Sequence, residues 1–469
     1  MTPPRLRARH TTLALLTAAA TSGALSLTTA PVTASVPGTT TTSGRIGAAA
    51  WTAKVPASWN GTVLLYNHGI RTTLDPNRSA EAAPTGTDGS AEDSLLARGY
   101  ALLGSSYRSN GFAVRDAVND DVALLASFRA SHPGRVTRTF VYGESLGGLI
   151  TETLAEERPD LVTGAASACG VLVGAVPIAD QVLDTLVMAR AMFAPMLKVA
   201  GYRSDAEALA TFTSLKTTVL KQLAAPATQT ASVGKVLAIA TLQGLPYQTE
   251  SYNGRVTASQ VGAATEGVLT QAGAAILGSR DAVARTGGNY ASNVGVSYLA
   301  RANAQAIARF KTVGLGASLL RSYALTLDRR VLRVAAVPAA RAKARTLGAP
   351  TGALKVPTVT MHTEFDQFVT AANESLFASR VAARGAGARL VQTYVKPPAY
   401  ADLTAAGGGA PYGAGHCSFT VSQLDAMVDT LAAFVATGSK PDPAGIFTAD
   451  GAPGLDPGFT PLTWTGTKA

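Results

Sequence analysis

At 469 residues the chain is long for one compact domain, yet a single large domain carrying an insertion also accounts for it. Hydrophobic residues make up 47% and charged residues only 15%, which excludes a disordered chain and allows a sizeable core. The formal net charge of +10 falls to about +7 without Arg5, Arg7 and Arg9, which lie in a segment expected to be removed. Basic residues over 188–345 are scattered, with no dense Lys/Arg run that interleaves aromatics, so no nucleic-acid partner is expected.

The N-terminus reads as a secretory leader. MTPPRLRARH supplies positive charge, TTLALLTAAATSGALSL is a short apolar stretch, and Val32-Thr33-Ala34 offers a small-residue cleavage site. The apolar stretch is broken by Thr and Ser and falls short of the roughly 20 residues of a membrane span. No Arg-Arg pair points to the twin-arginine route. The expectation is an extracellular protein, cleaved after residue 34, with no stable membrane insertion. A Thr/Ser-rich spacer, 35–44, follows.

From residue 45 the pattern is an alternation. GTVLLYNHGI (61–70) is a β-rich run closing on His-Gly, and RGYALLGSSYRSNG (98–111) is another, closing on a polar turn. The stretch from Ala117 to Ala130 carries apolar residues at helical spacing, broken at His132-Pro133-Gly134. RTFVYGES is a strand, LGGLITETLAEERP a helix stopped at Pro159, and VTGAASACGVLVG (162–174) a further strand. This predicts a mostly parallel sheet with helices on both faces. Between 176 and 350 long helical patterns such as SDAEALATFTSLKTTVLKQLA (204–224) run without a comparable strand, as an α-helical insertion would. Strand signals resume at KVPTVTMHTEFDQFV (355–369) and ARLVQTYV (388–395), and a helix is expected through DAMVDTLAAFVATG (425–438). The Pro/Gly-rich tail, 441–469, is expected to wrap the surface or fray.

Gly143-Glu144-Ser145-Leu146-Gly147 has the form G-x-S-x-G between a strand and a helix, the context of a nucleophile elbow. A sharp turn there needs residues without Cβ beside the serine. The helix N-terminus would point free N–H groups at an oxyanion. A serine hydroxyl needs a base, and the base needs an acid to hold it. Of five histidines, His10 leaves with the leader, His132 reads as an exposed turn residue and His362 as structural. His416, in the glycine-flanked loop GAGHCSF, remains as the base. VPTVTMHTEFDQFV offers Asp366 as the acid, a few loop residues past the strand, with Glu364 as fallback. Ser105, Tyr107 and Asn110 read as turn formers rather than pocket residues. There is no H-E-x-x-H and no clustered Cys/His spacing, so neither a metal nor a cofactor is expected. Two cysteines in an exported chain permit one disulfide, Cys169 to Cys417, which would pin the histidine loop to the core.

On YNHGI, YGESLGG, VPTVTMHTEFDQFV and AGHCSF the chain resembles the α/β-hydrolase superfamily, and is similar to secreted bacterial esterases and lipases with a helical lid. The resemblance covers roughly 45–175 and 351–440, with a cap over 176–350. It implies the triad Ser145, Asp366, His416 in that order, and an oxyanion hole from the backbone N–H groups of Leu146 and Ile70. His68 is given no catalytic role. Two departures stand out. The acid strand carries His362-Thr363 where the family commonly has His-Gly, and Glu144 stands where tannase-like esterases have a cysteine before the serine. The expected activity is hydrolysis of a small-molecule or polymeric carboxylic ester. A peptidase or amidase of the same fold is the alternative, and a non-catalytic binding protein comes third. Acyl length and oligomeric state are not legible.

Overall fold

The computed structural model describes residues 36–73, 83–247, 258–397, 412–443 and 452–466; the leader, 1–34, lies outside them. One eight-stranded sheet organises the chain: β1 (Thr40–Ile46), β2 (Ala49–Val55), β3 (Thr62–Asn67), β4 (Ala101–Ser105), β5 (Arg138–Glu144), β6 (Gly164–Ala168), β7 (Thr358–Thr363) and β8 (Leu390–Val395). Its order is β1-β2-β4-β3-β5-β6-β7-β8. The pairs β1–β2 and β2–β4 are antiparallel, and from β4 onward every pair is parallel. The sheet therefore begins inside the stretch read as a spacer. β1 is an edge strand, exposed at most positions, so its TTTSGRI carries no apolar alternation to mark it in the sequence.

The central strands are buried on both faces, and period-2 alternation assigns each side chain to a face. Val63 and Leu65 join α2 (Val114–Ser131), α3 (Leu146–Glu157) and α13 (Ala372–Ala383) on one side. Leu64 and Tyr66 join α1 (Gly89–Ala97) and α14 (Val421–Thr437) on the other. Each fully buried Leu or Val contributes about 1.5–3 kcal/mol relative to exposure.

Between β6 and β7 the chain forms α4 (Ala175–Phe193), α5 (Asp205–Ala224), α6 (Gln229–Gln243), α7 (Ala258–Leu277), α8 (Ser279–Thr286), α9 (Tyr298–Arg301), α10 (Ala304–Thr312), α11 (Ala317–Arg330) and α12 (Pro338–Ala344). Helices α4–α7 and α9–α11 share a core of their own, which also takes in Phe365 and Ala414 from the loops after β7 and before α14, while α8 and α12 pack with the start of α4 in a smaller cluster around Val176, Tyr290 and Ala340. Two ion pairs brace the cap: a buried one, Arg301 to Asp184 at 2.6 Å, and a half-buried one, Arg341 to the buried Asp180 at 2.8 Å. A latch holds it to the sheet domain, where Asp281 accepts the Phe112 N–H at 2.8 Å and binds Arg285, which also reaches Asp116 and the Asn110 carbonyl. No helix among the described residues is long and apolar enough to cross a membrane.

The described part of the tail is tied down. Leu455 bridges Val395 at the β8 edge, and Trp464 is buried in the α2/α3 core, its N–H donating to Ser375 Oγ at 3.1 Å.

Candidate active site

Strand β5 delivers Ser145 at its C-terminal end, and α3 begins with the next residue. Ser145 holds φ of +59°, a conformation that costs a non-glycine residue of order 1–3 kcal/mol and persists only where the surroundings enforce it. They do: the Ser145 N–H donates to the Ala168 carbonyl at 2.9 Å, and its own carbonyl accepts from Gly148 N and Val171 N. The flanking glycines are required by close approach. A Cβ on Gly147 would run into the Asn67 carbonyl oxygen, and one on Gly143 would meet the same oxygen and the Gly147 backbone. The turn is tight because β3 and α3 pack backbone against backbone around it.

The other two side chains come from loops zipped together. Phe365 pairs with Ala414 in an isolated parallel bridge, Gly415 N donates to Phe365 O at 2.8 Å, and Thr363 Oγ1 donates to Gly415 O at 2.8 Å. A capping box of Thr420 and Gln423 then starts α14. This brings His416 Nδ1 to 2.7 Å from Asp366 Oδ2 and His416 Nε2 to 2.7 Å from Ser145 Oγ. Asp366 Oδ1 accepts the N–H groups of Phe368 and Val369 at 2.8 and 2.9 Å, which fixes the carboxylate. Phe368 meets the His416 ring edge-on, centroids 5.3 Å apart. Of the two acids left open by the sequence, Asp366 is the one in contact with His416.

Burial alone would push the His416 imidazolium down, but the Asp366 carboxylate overrides it and holds His416 above its ordinary value. Burial would likewise raise Asp366, and His416 and His362 bring it below the usual carboxylate range. Glu144, next to the serine, is pushed up to about 8 by burial and by Cys169, and its Oε2 accepts from the Tyr66 hydroxyl at 3.4 Å.

The Leu146 N–H opens α3 and so has no intrahelical acceptor, and neither it nor the Ile70 N–H has a protein acceptor among the described residues. Gly69 lies against the Ser145 side chain, which carries the His68–Ile70 loop over the serine. His68 is buried, stacked on Tyr107 with ring centroids 4.0 Å apart. Its Nδ1 lies 2.7 Å from the Gly69 carbonyl, and burial and Arg71 lower it to about 3. Tyr107 is buried and bent at φ +56°, consistent with a turn. His132, expected at the surface, is half-buried and stacks on Phe128.

The expected Cys169–Cys417 disulfide is corrected: both thiols are free. Their sulfurs lie within 4.8 Å of each other and of a His416 ring nitrogen, whereas a disulfide requires about 2.0 Å. Each sulfur has other partners, Thr363 Oγ1 at 3.6 Å for Cys169 and the Ala168 carbonyl at 3.9 Å for Cys417. Although burial acts to raise it, Cys169 is brought down to about 7 by the Cys417 thiol and by His362 and His416.

Above Ser145 a cavity of about 470 Å³ opens between sheet domain and cap. Its floor is Ile70, Leu146, Phe112 and Phe368; Ala179 and Val182 of α4 and Ala274 and Ala275 of α7 form the walls. Of these residues the sequence singles out Ile70 and Leu146, for their backbone N–H groups. Among the others Phe368 alone gives a local signal, two residues past the acid; the rest meet only through tertiary packing.

A sheet that is parallel from β4 onward, in this strand order, with a positive-φ serine on the turn between β5 and α3, is the α/β-hydrolase fold. No protein-family profile and no curated protein matches the chain. Solved structures similar to it include feruloyl esterase B from Aspergillus oryzae (12% identity, TM-score 0.38, covering 86% of this chain and 81% of that one). A serine hydrolase from Cycloclasticus zankles gives 12%, 0.34, 86% and 99%, and the Pyrococcus horikoshii acylaminoacyl peptidase 11%, 0.34, 78% and 38%. At these scores the likeness carries no inference about activity, and the fold assignment rests on the chain's own strand order and turn.

Proposed function

We propose that the protein is a serine hydrolase of carboxylic esters with an apolar acyl or alcohol group. The observation that carries this reading is the continuous line Ser145 Oγ–His416–Asp366, 2.7 Å at each link, at the floor of an apolar cavity. In the mechanism, His416 Nε2 takes the Ser145 proton as Oγ attacks the ester carbonyl, and Asp366 stabilises the imidazolium. The N–H groups of Leu146 and Ile70 receive the oxyanion, where losing one such donor costs about 3–4 kcal/mol of barrier. His416 returns the proton to the leaving alcohol. It then activates water, which releases the acid and restores Ser145.

Ester rather than peptide is favoured by the cavity's charge. An aminopeptidase needs carboxylates free to hold a substrate ammonium. Among the described residues lining the cavity the one carboxylate, Asp281, is taken by Arg285 and the Phe112 N–H. The leader pattern supports export of the chain, checked by sequencing the N-terminus of secreted protein, with Ser35 expected first and an intact Met1 against it.

The test compares wild type and Ser145→Ala on p-nitrophenyl esters of increasing acyl length and on aminoacyl and prolyl anilides. Ester turnover that vanishes in the variant supports the reading. Anilide turnover without ester turnover would replace it with a peptidase, and a folded wild type inert on both panels would remove it.

A further inference from the structure

His362, on β7, is fully buried and lies four positions before Asp366. Its Nε2 lies 2.7 Å from the Val369 carbonyl and 3.5 Å from Asp366 Oδ2, the oxygen that also faces His416. A carbonyl only accepts, so Nε2 carries a proton. Its Nδ1 lies 3.4 Å from Glu374 Oε1, while Glu374 Oε2 accepts from Thr360 Oγ1 at 2.7 Å and Gln392 Nε2 at 2.6 Å. Both ring nitrogens thus face acceptors, and all three of His362, Asp366 and Glu374 are shut off from solvent. A second proton on the ring would there sit between two carboxylates.

We propose that His362 is a positioning residue of the site: with Glu374 as counter-ion, its imidazolium fixes the Asp366 carboxylate from behind and lowers the basicity of His416. The line of groups then runs Ser145, His416, Asp366, His362, Glu374, ending in a neutralised pair within the sheet. The charges around it bear this out. Asp366 comes from the loop after β7 and Glu374 from α13; the Cys169 sulfur, past β6, lies within 4.8 Å of both His362 and Asp366; Tyr394 of β8 is in register beside His362; and His416 stands beyond Asp366. Cys417 reaches the cluster through Cys169. Although burial opposes it, Cys169, Asp366 and Glu374 together hold His362 well above its ordinary value.

The kinetic part rests on His416 being the base, as proposed above, whereas the charge of His362 does not. With only five histidines, selective ¹⁵N-histidine labelling of the full chain resolves the rings, assigned with His362→Gln and His416→Ala. Both His362 nitrogens are expected to be protonated at pH 7; a neutral ring with a bare Nδ1 overturns the proposal. In His362→Gln, and in the milder Glu374→Gln, kcat is expected to fall about 10-fold with KM little changed. In His362→Gln the acidic limb of kcat/KM should move up by about 1 pH unit. Because Cys169 titrates nearby, the same shift must appear in a Cys169→Ser background. A folded His362→Gln whose limb stays at the wild-type pH would contradict the proposal. Absence of any ester turnover would defeat the hydrolase reading instead, while the ring spectra still decide the charge of His362.

Discussion

The sheet domain and the cap solve different problems by different means. Around Ser145 the sheet domain works through backbone: β3, α3 and the Ala168 carbonyl enclose a strained serine so closely that a methyl group at Gly147 has no room. The cap works through side chains. Its helices pack around small residues such as Ala274 and Ala275 that leave a cavity open, and they are braced by buried charges rather than by tight turns. The difference teaches where substitution should be tolerated: on the proposed reading the sheet domain specifies the chemistry and has little slack, while the cap specifies what fits.

The largest effect should come from the chemistry itself. Asp366→Asn is expected to lower kcat about 10⁴-fold through the wrong His416 tautomer. The chain should stay folded, because an Asn oxygen can still accept from Phe368 N and Val369 N; steady-state kinetics beside a melting curve check this. Next, Arg301→Ala leaves Asp184 buried with Tyr298 but without its charge partner, and should cost about 3–5 kcal/mol in chemical denaturation. A loss confined to the cap would show as a separate transition. Gly147→Ala should cost about 3 kcal/mol and disable ester turnover together with stability, since the displaced turn carries the serine. Ala275→Phe, in the cap, should do the reverse: a near-normal melting curve, unchanged turnover of acetyl esters, and a several-fold loss on long acyl chains. If it damaged short esters equally, the division of labour between the two regions would be wrong. The smallest effect concerns pH. The acidic limb of wild-type kcat/KM should lie above about 6.5, the ordinary histidine value, because His416 must be neutral to act and Asp366 favours its charged form.

The same contrast explains what the sequence reveals. The elbow is legible because a strand, two glycines and a helix start are local signals, and His416 follows because so few histidines compete. The choice between Asp366 and Glu364 turns on how one loop folds, which only the bridge from Phe365 to Ala414 decides. The cysteines were misread because a count carries no distance: they approach, yet remain unbonded. Strand β1 is not legible because an exposed edge strand has no apolar period, and the docking of the tail is not because Trp464 is anchored by residues far away in the chain. The cavity is the least legible part. Its walls come from α4 and α7 and part of its floor from the Phe368 loop, and nothing in any one of them reports that they converge.

The most direct test of the central claim is covalent. An alkyl fluorophosphonate carries a phosphorus that an activated serine attacks, expelling fluoride and leaving an alkylphosphonyl adduct. Incubated with the protein and read by intact mass and peptide mapping, it is expected to add one phosphonyl group at Ser145. It should add none in Ser145→Ala and react far more slowly in His416→Ala. Modification at another residue, or equal labelling of wild type and His416→Ala, would mean that the line from Ser145 to Asp366 is not the machinery that makes this serine a nucleophile.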